Sequence, residues 1–200
     1  MKNKILIGLT TLGVVTLLLS GCSKVPQTEL DSANSAIEAA KTAGADLYVP
    51  DAYAALQDSM KVITEKIELQ KTKIFRKYGE VKKELNAVTI QANQVSEQTE
   101  VRKTEVKTEV QNVLAEVKTI LQEDKQLITK APRGKEGSAA LLEIKNEITI
   151  IEGSVDEASK MLEGNQYIQA LDKVKAAKEK ASSINAELKN VIAKYSGAKR

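Results

Sequence analysis

The chain has 200 residues, enough for one domain or two small helical units. Apolar residues make up 42% of it but aromatics only 3%, with no Trp and one Phe (Phe75), so a core must be built from Val, Ile, Leu and Ala. The absence of His excludes Ser-His triads and imidazole metal ligands, and 30 basic against 27 acidic residues, with signs interspersed, do not support a nucleic-acid partner.

Residues 1–4 form a short basic segment carrying Lys2 and Lys4. Residues 5–19 are apolar but interrupted by Gly8, Thr10, Thr11, Gly13 and Thr16. A membrane-spanning helix needs roughly 20 apolar residues, so this stretch is short for one and suits a secretory leader. It ends in Leu19-Ser20-Gly21-Cys22.

That ending resembles the lipobox of bacterial lipoproteins in motif and position. The resemblance implies a diacylglyceryl group on the Cys22 sulfur and cleavage between Gly21 and Cys22. It also implies acylation of the new amino group in many Gram-negative bacteria. The leader 1–21 would be removed, leaving 28 basic and 27 acidic residues. Cys22 is the only cysteine, and in an exported protein an unpaired thiol without a role would be a liability. The alternatives are an ordinary signal peptide with an incidental cysteine, or an uncleaved anchor helix. In the Gram-negative sorting rule Asp after the cysteine favours the inner membrane. Ser23 therefore implies the outer membrane facing the periplasm, or the outer face of the cell membrane in a Gram-positive organism.

Residues 22–27 read as a lipidated tether containing Pro26. A helix is expected over 28–43, with Thr28 and Asp31 as a capping box, Ala33, Ile37 and Ala40 as its stripe, and Gly44 as its stop. Residues 46–50 read as a turn, with Pro50 at the first position of the next helix. The run Ala43-Gly44-Ala45, then Tyr48-Val49-Pro50 and Tyr53, resembles a family of bacterial helical-hairpin lipoproteins of undefined function. The likeness covers roughly residues 30–90 and departs at Val49, where Ala is commoner. It implies an N-terminal hairpin (28–95) and an envelope location, and no activity.

From 51 to 131 there is no proline and one glycine, Gly79. Tyr53, Leu56, Met60, Ile63 and Ile67 keep three-four spacing, as do Tyr78, Val81, Leu85, Val88 and Ala92. Val106, Val110, Val113, Val117, Ile120 and Leu127 continue it, with Asp124 as a polar interruption. The stretch 96–105 holds only Val101 and reads as solvated helix, hinge or turn. A long helix over 96–131 should continue into a bundle. A break is expected near Tyr78-Gly79 or within 93–105, unless 51–131 is one rod.

Residues 132–137 form the clearest loop, with Ser138 positioned to cap the next helix. A C-terminal hairpin is expected over 138–195, turning at Gly164-Asn165, with 196–200 frayed. Its stripes are Leu141, Ile144, Ile148, Ile151, Val155, Ala158 and Leu162, then Tyr167, Ala170, Val174, Ala177, Ala181, Ile184, Leu188, Val191 and Tyr195. The opening at Tyr167 is similar to a tetratricopeptide helix. Tyr53, Tyr78 and Tyr167 are irregularly spaced, however, and ordinary heptad helices explain the pattern. The fold class is all-α: antiparallel helical hairpins or an elongated helical bundle with coiled-coil-like packing.

No residue is assigned a catalytic, cofactor-binding or metal-binding role, and no cofactor is implied. Glu97, Glu100, Glu105 and Glu109 lie among lysines as surface pairs. The first functional reading is a structural or interaction protein of the envelope, anchored in the membrane through Cys22. Its partner would be another envelope protein or the cell wall, or a second copy of the chain. Ile74-Phe75 and Ile150-Ile151 exceed the minimal stripes and are either contact spots or core filling. Wall-linked helical lipoproteins resemble this chain but end in the Lys that is crosslinked, whereas here Lys199 precedes Arg200. The alternative is a periplasmic binding module holding a small ligand or lipid between helices.

Overall fold

The computed structural model describes residues 24–132 and 135–197, apart from the side chains of 135–137, 196 and 197. The leader, Gly21 and Cys22 lie outside the described residues, as do Arg133, Gly134 and 198–200. The protein is all-α. Its helices are α1 (Gln27–Thr42), α2 (Ala45–Tyr48), α3 (Pro50–Lys71), α4 (Gly79–Lys130), α5 (Lys135–Glu163) and α6 (Tyr167–Gly197). The chain divides into two compact units, residues 1–100 and 101–200.

In the first unit α1 begins one residue earlier than Thr28, behind Pro26. No side chain caps it, so the capping box expected at Thr28 and Asp31 does not form. Asp31 instead accepts a 2.8 Å hydrogen bond from Gln27 Nε2, one turn back on the same face. The buried face is Ala33, Ala36, Ile37 and Ala40, and its three alanines allow neighbouring helices close. Gly44 ends the helix at φ 92°, a left-handed conformation that costs glycine little, and its N–H donates to Lys41 O at 2.7 Å. The turn expected over 46–50 is a single helical turn, α2, and Pro50 stands at the start of α3 as its fixed φ favours.

Where the stripe of α3 ends at Ile67, the helix runs only to Lys71, and residues 72–78 connect it to α4. The break thus precedes Gly79, which is the first residue of α4. No break occurs within 93–105. Thr99 is fully buried and continues the run Val88, Ala92, Val95. Its hydroxyl donates to Val95 O at 2.7 Å, which satisfies it without leaving the helix. Val101, the only apolar residue in that stretch, is 60% exposed. Helices α1, α3 and the start of α4 share one core, with Tyr53, Leu56, Ile63, Ile67, Tyr78, Val81 and Leu85 in it. The ion pairs Glu29–Lys82 (2.9 Å) and Lys66–Glu84 (2.5 Å) tie α4 to α1 and to α3. The first of these joins the N-terminal turns of α1 and α4, as an up-down-up arrangement requires.

The second unit packs the rest of α4 with α5 and α6. Helix α5 starts at Lys135, inside the stretch expected as loop, so Ser138 stands in its first turn and not at its cap. It passes Gly153 unbroken. Asn165 turns the chain at φ 60°, while the N–H groups of Gly164 and Gln166 close on Lys160 O and Met161 O, both at 2.9 Å. The core holds Val106, Val110, Val117, Leu121, Ile144, Ile148, Ile151, Val155, Val174, Ile184 and Leu188. Val191 and Tyr195, expected on the stripe of α6, are exposed. Glu109, Glu116 and Glu123, one heptad apart on α4, pair with Lys175, Lys178 and Lys189 of α6 at 2.6, 2.5 and 2.9 Å. Their parallel order shows α4 and α6 running the same way. Lys125–Glu152 and Glu157–Lys173 place α5 antiparallel between them. This heptad-spaced flank of charges beside an aliphatic seam is coiled-coil-like packing.

Candidate functional site

Two polar side chains are buried among the described residues, Thr99 and Asp124. Asp124 does not interrupt the stripe of α4 but belongs to it. The buried register runs Val117, Leu121, Asp124, Ile128, leaving the expected Ile120 and Leu127 half-buried. Between Ile184 and Leu188 of α6, Asn185 reaches across and donates from Nδ2 to Asp124 Oδ1 at 2.7 Å. The same amide donates to Glu123 Oε2 at 3.0 Å, and Glu123 Oε1 takes Lys189. Asp124 Oδ2 is buried without a hydrogen-bond partner.

Burial pushes the Asp124 carboxyl above its ordinary range, and the neighbouring Glu123 charge acts the same way. Asn185 and Lys189 oppose this, with smaller effect than burial. Glu123, Glu29 and Glu157 go the other way, each held below the usual carboxylate range first by the hydrogen bond from its lysine (Lys189, Lys82 and Lys173). Asp124, Glu123 and Lys189 meet around the Asn185 amide, with only Asp124 buried. The pair Asp124–Asn185 acts as a register pin: an apolar residue at 124 would pack in more than one alignment, whereas the carboxylate finds its one hydrogen bond only opposite Asn185.

Replacing Asp124 with Leu is expected to stabilise the second unit by about 1–3 kcal/mol near pH 7, because a desolvated, half-satisfied carboxylate becomes core. An Asp whose folded pKa is raised holds more protons folded than unfolded between its unfolded value, near 4, and the raised one, so stability falls as pH rises through that window. The gain from Asp124→Leu should therefore shrink as pH is lowered toward 4. Thermal unfolding at pH 4 and pH 7 checks both parts, and an equal gain at the two would contradict the pKa direction.

The contact spots read from the sequence divide. Ile151 is buried, Ile150 exposed, and Ile74 and Phe75 both exposed, at 84% and 75%. Tyr167 is half-buried, donates to Asn165 Oδ1 at 2.6 Å and lies 6.0 Å beneath Lys107 Nζ. It serves the packing of its own turn. Among the described residues no cluster of three metal-ligating side chains occurs, and no helix is long and apolar enough to cross a membrane. A groove between α3 and α4 is lined by Val62, Ile63, Glu84, Ala87 and Val88. Asp124–Asn185 was missed in the sequence because the partners stand 61 residues apart. The available signal was Asp124 falling three residues after Leu121 and four before Ile128. Compared with protein-family models, curated proteins and solved structures, the chain matches none.

Proposed function

We propose that this chain is a lipid-anchored protein of the bacterial cell envelope, held through Cys22, with a non-catalytic role in presenting helical surface to a protein or to the cell wall. The observation that carries the reading is Leu19-Ser20-Gly21-Cys22 behind a basic start and a short apolar stretch, with no other cysteine in the chain. Support also comes from side chains that the two cores do not use. Ile74, Phe75, Leu142 and Ile150 are large, apolar and more than half exposed. Single exposed apolar residues are ordinary; Ile74 and Phe75 adjoin in sequence and expose apolar surface together.

Crosslinking in intact envelopes followed by capture of the protein tests the interaction role. A partner is expected to be enriched over a control in which the same leader and tether carry an unrelated helical domain. Enrichment no greater than that control removes the interaction role and leaves the anchor to be judged separately.

A further inference from the structure

The connection between α3 and α4 has a composition found nowhere else in the chain. Residues 71–77 read Lys-Thr-Lys-Ile-Phe-Arg-Lys, and every one of them is exposed. Four cations flank the adjacent Ile74 and Phe75; Lys71 pairs with Glu68 at 2.6 Å, and no acidic residue occurs between Glu68 and Glu80. Phe75 is the only Phe in the protein, and it stands in water next to the most exposed isoleucine among the described residues. The helix stops here, and the two apolar residues stand outside the buried register, which resumes only at Tyr78.

The fold puts this loop at a particular end of the first unit. Helix α1 runs away from the tether, α3 returns, and α4 sets out again, so the start of α1 and the loop 72–78 share one end. The Glu29–Lys82 pair at 2.9 Å fixes that juxtaposition directly. Pro26 is buried and Val25 packs against the same core, so the chain leaves the unit at this end. Cys22 stands three residues before Val25, and three residues of chain span at most roughly 11 Å. Lys24 adds a further exposed cation beside the tether.

We infer that the loop 71–77 is a second membrane contact, with Ile74 and Phe75 entering the headgroup region and Lys73 and Lys77 meeting anionic phospholipids. The inference rests on the lipid anchor at Cys22. The occupant is a lipid surface because the loop combines an aliphatic and an aromatic tip with the exposed cations Lys73 and Lys77, beside the point where acyl chains would attach. An acidic protein surface would match the charges but would not account for the loop's place beside the acylated end of the unit. Lipid chains plus a basic patch are a two-signal anchor, and the loop would also set which end of the unit faces the bilayer.

The protein contains no Trp, so F75W places a single fluorescent reporter at the loop and L47W places one on α2, at the other end of the unit. Each variant is purified from membranes, its acyl mass checked, and the protein reconstituted in vesicles with brominated acyl chains. One set contains phosphatidylglycerol and phosphatidylethanolamine, the other phosphatidylcholine alone. The F75W emission should shift to the blue and be quenched by bromine, more strongly on the phosphatidylglycerol vesicles, while L47W stays water-like. Adding Lys73→Glu and Lys77→Glu to F75W should remove most of the quenching. Acylated F75W protein with water-like emission overturns the loop contact and leaves the anchor standing. Equal quenching of F75W and L47W overturns the orientation, and equal quenching on both vesicle types overturns anionic recognition. Protein without acyl mass overturns the anchor and this inference with it.

Discussion

Replacing Cys22 with Ala is expected to abolish incorporation of a palmitate analogue, and the same chain behind an ordinary cleavable leader is expected to move from the membrane to the soluble fraction. The size of the effect follows from the acyl chains. Each buried methylene contributes roughly 0.8 kcal/mol; one chain binds reversibly, and two hold a protein for its lifetime. No described helix can cross a bilayer, and the loop 71–77 by itself offers only reversible contact. The leader must be exchanged in this experiment because an uncleaved apolar stretch over 5–19 would itself retain the protein at the membrane. Cell fractionation reads the outcome. Full retention of the exchanged Cys22→Ala chain in the membrane fraction would mean that something other than the cysteine holds it there.

Leu85→Ala should cost the first unit about 3 kcal/mol, within the 2–5 kcal/mol range of large-to-small changes in well-packed cores. Leu85 is fully buried in α4, in the core that α1 and α3 share. The surrounding residues sit on rigid helices and cannot collapse fully into the space, so a cavity remains. Against a typical total stability of 5–15 kcal/mol the loss is a large fraction. Val101→Ala is the matched control. Val101 is 60% exposed, and its truncation should change stability by no more than about 0.5 kcal/mol. Urea unfolding followed by far-UV ellipticity measures both. A larger loss at Val101 than at Leu85 would show that the buried register of α4 has been misassigned.

That register also shows how far the sequence could be read. Helices and stripes were legible wherever aliphatic residues recur at three-four spacing, as in α3 and from Ile144 to Ala158 of α5. The all-α class follows from them. Reading failed where a polar residue holds a core position. Thr99 left 96–105 open between solvated helix, hinge and turn; its hydroxyl closes on Val95 O and the stretch is helix, mostly exposed. Asp124 looked like an interruption because its partner, Asn185, belongs to a helix two elements away. The cap at Thr28 failed because the helix begins one residue earlier, at Gln27 after Pro26. The loop 71–77 was readable only in part: Ile74-Phe75 stood out, but its place beside the tether depends on the Glu29–Lys82 contact between helices.

The most direct test is the intact mass of the N-terminal fragment released by protease from native protein extracted from membranes. A fragment beginning at Cys22 and heavier than its peptide by a diacylglyceryl group, with or without a further acyl chain, is the expected result. A fragment that begins at Met1, or one that begins at Cys22 with a free thiol, would contradict the proposed anchor and the location argued from it.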